Sequence, residues 1–126
     1  MVATIVTNNG AGFYVDKFDG SSTATAFWIG WGTGGSSTGS TATYGDTALQ
    51  AEATEARVAA TLSQPSADTN RLVATITAGT AKTVEEVGVF TATAAGTMVG
   101  RGTHLGVGLS AADAIQYTFN IQAVPT

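Results

Sequence analysis

Ala114–Val124 reads AIQYTFNIQAV, and the fold is decided by how this stretch alternates. Ile115, Tyr117, Phe119, Ile121 and Ala123 fall on one side of an extended chain. Gln116, Thr118, Asn120 and Gln122 fall on the other. Side chains of a strand point alternately to the two faces of its sheet. The pattern therefore predicts an antiparallel strand with one face in a core and the other in water. Pro125, which has no N–H for a ladder, marks its end.

Working outward, NRLVATITA (Asn70–Ala78) sets Leu72, Ala74 and Ile76 opposite Val73, Thr75 and Thr77. VEEVGVFT (Val84–Thr91) places Val87 and Val89 on one face and Phe90 on the other. TMVGRGTHL (Thr97–Leu105) follows the turn TAAG. ATAFWIGW (Ala24–Trp31) is the most aromatic strand, with Phe27, Ile29 and Trp31 facing one way and Trp28 the other. EARVAATL (Glu55–Leu62) has alanine enough for a helix and is read as a strand from its neighbours. Turn residues recur between these segments at the spacing of a sandwich or jelly roll rather than of βαβ units.

Composition agrees. Thr, Ala and Gly make up nearly half of the 126 residues, and charged residues 11%. The Glu, Lys, Gln and Arg that clothe helices are scarce, whereas β-branched Thr favours strands and Gly supplies turns. The expected class is all-β: one antiparallel β-sandwich or jelly-roll domain over residues 1–126, long enough to bury its own core. Two stretches stand outside the alternation. Residues 32–46, GTGGSSTGSTATYGD, read as a flexible Gly/Ser/Thr loop. Residues 1–22, with NNGAGFYVDKFDGSS at 8–22, read as an N-terminal arm or a first hairpin. DTALQAE (Asp46–Glu52) is expected to make one helical turn capped by Asp46.

The net charge is −4, and the cations Lys17, Arg57, Arg71, Lys82 and Arg101 are scattered singly. Phosphate neutralisation needs a cluster, so no nucleic-acid partner is expected, and no anionic membrane. The absence of cysteine excludes disulfides and thiolate metal sites. MVATIVTNNG has no basic n-region, so a cytoplasmic route without export is expected.

Motifs that suggest chemistry have plainer readings. Gly30, Gly32 and Gly35 fit G-x-G-x-x-G, but SSTGSTATYG after them will not form the helix that a pyrophosphate needs. Ser37 sits in G-x-S-x-G between Gly35 and Gly39, yet the chain has a single histidine, His104, and no strand-to-helix elbow. His104 reads as a hydrogen-bonded structural residue, and DKFDG (Asp16–Gly20) as a turn capped by Asp. Glu85 and Glu86, adjacent in a strand, should point to opposite faces. One should turn inward to an arginine (Arg57, Arg71 or Arg101) or to a run of backbone N–H groups. No catalytic set, cofactor or metal site is therefore expected. Phe27, Phe90, Tyr117 and Phe119 are assigned to the core. Phe13, Tyr14, Phe18, Trp28, Trp31 and Tyr44 are the candidate interface residues.

The order of these blocks resembles small virion structural proteins of tailed phages. FWIGWGTG, the Thr/Ser/Gly loop, DTALQAE with ARV, and TVEEVGVFTATAAGTMVGRGTH with a final IQYTFNI cover most of residues 24–123. Glu86-Val87-Gly88-Val89-Phe90 matches the family's E-x-G-[LVI]-F strand, and Gly96 to Arg101 its G-x-[ML]-[VL]-x-R strand. The resemblance implies a non-enzymatic capsid decoration (cement) protein without cofactors, assembled in the host bacterial cytoplasm and placed on the virion head. Its partners would be the major capsid protein and further copies of itself, as a dimer or trimer. Tail-fibre modules share the pattern, so a tail-associated part is the alternative. A sugar-binding, receptor-reading module using Trp28, Trp31 or Tyr44 is the other.

Overall fold

A computed structural model describes residues 3–22 and 26–124 and shows an all-β sandwich of two antiparallel sheets. The strands are β1 (Ala3–Val6), β2 (Trp28–Gly32), β3 (Val58–Ala59), β4 (Thr61–Ser66), β5 (Thr69–Thr77), β6 (Lys82–Phe90), β7 (Met98–Leu109) and β8 (Ala114–Gln122). The five-stranded sheet has the order β1-β7-β6-β2-β3 and the three-stranded sheet β4-β5-β8. The chain leaves the smaller sheet after β5, makes the β6–β7 hairpin in the larger one and returns as β8 beside β5. Ala24 and Thr25 of the expected aromatic strand, and Pro125, lie outside the described residues.

The alternation of β5 and β8 holds. Leu72, Ala74, Ile76 and Phe119 are buried, while Thr75, Thr77, Gln116, Thr118 and Asn120 are exposed. The inner side meets Ile29, Trp31, Val84, Val87, Val89 and Val99 of the larger sheet in one core cluster. Burial of such side chains, about 25 cal/mol per Å² of apolar surface, drives the two sheets together. β6 departs from alternation because every residue from Val84 to Phe90 is buried. Its second face carries Phe90, which packs with Leu49 and Met98 beneath residues 33–57.

Residues 8–22 are not an arm or a hairpin. Asn8–Asp19 form a helix, α1, capped at its start by Thr7, whose Oγ1 accepts from Gly10 N–H at 3.0 Å. Gly20 ends it in the left-handed conformation, φ 81°. The helix packs on β7, and Phe13 enters the main core. Gly10 makes this possible, since a Cβ there would lie 2.0 Å from Val99 O. Poor helix formers such as Asn8, Asn9, Gly10 and Gly12 hide the helix in the sequence, and docking overrides their propensity.

Candidate functional site

Residues 32–46, expected to be flexible, are pinned to the larger sheet together with the residues that follow. The pin is a buried charge cluster. Arg101 on β7 donates from Nε and Nη2 to Glu86 Oε2 at 3.0 and 2.7 Å, and from Nη1 to Asp46 Oδ2 at 2.8 Å. Its Nη2 also reaches Ser40 O and Oγ, both at 3.1 Å. Glu86 accepts in addition from the N–H groups of Gln50 at 2.9 Å and Ala51 at 2.7 Å. Glu86 is 0% and Arg101 2% exposed, so each is viable only because the other and the loop satisfy it. Burial alone would raise the Asp46 carboxyl. The amide and hydroxyl of Thr43 and the Arg101 guanidinium outweigh it and hold the group below the usual range. Asp46 is thus a ligand of Arg101, and residues 46–52 form no helical turn.

The expectation that one glutamate meets an arginine or a run of amides holds for Glu86, which has both. The expectation of opposite faces does not hold. Val84 and Val87 both lie in the main core, three residues apart, and the β6–β7 register shifts between Val84 and Glu86. This bulge turns Glu85 toward the covering segment as well, where it accepts from Ser37 N–H at 3.1 Å and from the Ser37 hydroxyl.

Two further fastenings complete the cover. Glu55 accepts from Trp31 Nε1 at 2.9 Å, from Gly79 N–H at 3.0 Å and from Lys82. Burial would raise its pKa, but these donors bring it down to about 2. Arg57 forks onto Glu52 at 2.8 and 2.9 Å and donates to Ala92 O and Ala95 O at 3.0 and 2.9 Å. Its guanidinium also lies 3.5 Å from the centroid of the Phe90 ring.

The motif residues take structural roles. A Cβ on Gly32 would strike Ala51 O, and one on Gly35 would strike Glu85, so these glycines admit the cover at close range. Ser37 lies in a 3₁₀ turn, Ser36–Thr38, and its hydroxyl is taken by Glu85. His104 is taken by Tyr117. With Nδ1 2.8 Å from Leu105 O, that nitrogen must carry the proton, leaving Nε2 to accept from the Tyr117 hydroxyl at 2.9 Å. Burial pushes the Tyr117 phenol up, in keeping with its role as donor. A recess of about 610 Å³ beside α1 includes Asn8, Asn9, Gly12, Asp16 and Ser21 in its lining, with Asp16 its one titratable group among the described residues. Among the described residues there is no cluster of three metal-ligating groups, and no helix is long and apolar enough to cross a membrane.

The six candidate interface residues separate. Phe13 and Trp31 are buried in the main core and are removed from any interface, the first by the docked face of α1 and the second by its place between the sheets. Tyr14 and Trp28 are half-buried. Phe18, 99% exposed, and Tyr44, 66%, remain as surface anchors. Val15 and Leu105, which are not among those six, join them. Val15 and Phe18 share one face of α1 through their i, i+3 spacing, a signal that appears only once the segment is known to be helical. Compared with known proteins, the chain matches no family model, no curated protein and no solved structure.

Proposed function

We propose that the protein is a capsid decoration protein of a tailed phage, binding across neighbouring major capsid subunits and stabilising the assembled shell. The observation that carries this reading is where the polar groups go. Arg101, Glu86, Asp46, Glu85, Ser37, His104 and Tyr117 are all engaged in holding the sandwich and its cover. Large apolar side chains nevertheless stay exposed around α1, Val15 and Phe18 on the helix and Tyr44 at its N-terminal end, where Tyr44 O accepts from Asn8 N–H at 2.7 Å. Side chains of this kind act as anchors at protein interfaces. The resemblance of the β6–β7 region to virion structural proteins supplies the particle, and a ligand that binds only the assembled shell stabilises it by mass action.

The test is Val15→Ser combined with Phe18→Ser. Because both side chains face water, the variant should fold with an unchanged melting temperature but bind purified shells far more weakly, and those shells should rupture earlier on heating. Copy number decides the location. Quantitative mass spectrometry of particles should find the protein at a level comparable with the major capsid subunit. A level matching the tail fibres instead would end the decoration reading.

A further inference from the structure

We propose that the open edge of β8 is a homodimer interface, where β8 pairs antiparallel with β8 of a second copy about a two-fold axis at Thr118. Edge strands present unpaired backbone groups, and proteins protect them by shortness, proline, charge or bulges. Among the described residues β1, β3, β4 and β8 lie at sheet edges. β1 has four residues and β3 two. β4 carries Pro65, and its register shifts between Ser63 and Ser66. β8 has none of these protections. It runs nine residues, pairs with β5 without a shift, and AIQYTFNIQ contains no proline and no charge.

The ladder's phase shows which groups are open. Ala78 N–H donates to Asp113 C=O at 2.7 Å and Ala123 N–H to Asp68 C=O at 2.9 Å, at the two ends of the β5–β8 pair. Bonded residues alternate along an antiparallel ladder, so odd-numbered residues of β8 bond to β5. Ala114, Gln116, Thr118, Asn120 and Gln122 therefore turn N–H and C=O to the free edge. A cleft of about 110 Å³ separates Thr4, Ile5 and Val6 of β1 from Phe119, Asn120 and Ile121 at this edge.

A second copy is the occupant because the edge complements itself. An axis at Thr118 sets Thr118 against Thr118, Gln116 against Asn120 and Ala114 against Gln122, so every outward group along β8 finds a partner. The side chains of these residues are exposed and uncharged, and Thr–Thr and amide–amide cross-strand pairs are favourable. The same patch on both copies gives a closed pair rather than a filament. This pairing belongs to the free protein and does not depend on a phage head.

The chain has no cysteine, so Thr118→Cys places a single thiol at the axis. Directly opposed residues lie at about 5.5 Å, within disulfide reach. Oxidised Thr118→Cys should run as a covalent dimer with an unchanged circular dichroism spectrum, while Ser63→Cys on β4 should not cross-link. Sedimentation equilibrium should show a reversible wild-type dimer that is lost in Thr118→Lys, where like charges face each other. The cross-linking result decides alone if the lysine variant fails to fold. A wild type that stays monomeric at its highest soluble concentration overturns the inference, even if it captures a foreign extended peptide. So does a trimer, a dimer that survives Thr118→Lys, or cross-linking through Ser63→Cys but not Thr118→Cys.

Discussion

The five-stranded sheet turns its outer side to residues 33–57, which lie on it through Glu86, Arg101 and Arg57. The three-stranded sheet turns its outer side, lined by Thr75, Thr77, Gln116, Thr118 and Asn120, to water. One sandwich thus has a face finished by irregular chain and buried charge, and another finished by the strands alone. The difference shows two ways to solve one problem. A strand with polar residues on its second face needs nothing further. A strand such as β6, with Glu86, Gly88 and Phe90 there, needs a cover that brings its own donors.

The largest effect should come from unfastening that cover. Arg101→Met leaves the fully buried Glu86 carboxylate without its cation and releases Asp46 and Ser40. Removing one partner of a buried pair costs about 3–5 kcal/mol. Urea unfolding should show this loss, and proteolysis should open first between residues 33 and 57. A loss under about 1 kcal/mol would mean that the cover is held by Leu49, Phe90 and Met98 instead, as expected of a surface-like substitution.

The same contrast explains what could be read from the sequence. β5 and β8 were legible because water on one side and core on the other leave a period of two in the residues themselves. In β6 the bulge between Val84 and Glu86 breaks that period, and both faces are buried, so the strand was found but the direction of Glu85 was not. Residues 32–46 looked flexible because Gly, Ser and Thr carry little apolar surface. Their order comes from Arg101 and Glu85, partners 48 or more residues further along the chain. α1 left its caps, Thr7 and Gly20, in the sequence, but its defining contact, Gly10 against Val99, is tertiary. Of the candidate surface, Phe18 and Tyr44 were legible as aromatics without a strand to belong to, whereas the shared face of Val15 and Phe18 needed the helix.

A smaller effect distinguishes two carboxylates, one in the cover of the larger sheet and one in the β4–β5 turn of the smaller. Glu55 and Asp68 are both brought down to about 2, Glu55 by Lys82, Trp31 and Gly79 against its burial, and Asp68 by Gln122, Ser66 and Thr69. In the unfolded chain they take up protons near their ordinary values of 4.5 and 3.8. Their stabilisation is therefore present above those values and lost as the pH falls toward 2. Glu55→Gln should cost about 1–2 kcal/mol at neutral pH, as charge-assisted bonds do, and should flatten the decline in stability between pH 5 and pH 2. Asp68→Asn, at an exposed turn open to salt, should flatten it less. The opposite ranking would show that the turn, not the cover, carries the acid sensitivity.

The smallest effect tests whether the outer side of the three-stranded sheet is as bare as it looks. Thr75 and Gln116 are directly opposed on β5 and β8, and both are exposed. Thr75→Ala and Gln116→Ala should each change stability by about 0.5 kcal/mol or less, since water replaces whatever the side chains give up. Their double variant should depart from the sum by no more than the few tenths that a polar cross-strand pair supplies. Measurement in dilute solution, where edge pairing between copies contributes nothing, isolates the monomer. A loss above about 2 kcal/mol at Gln116 would place it among buried groups and demand a cover on this sheet too. An effect that grows with protein concentration would instead locate the missing partner on a second copy.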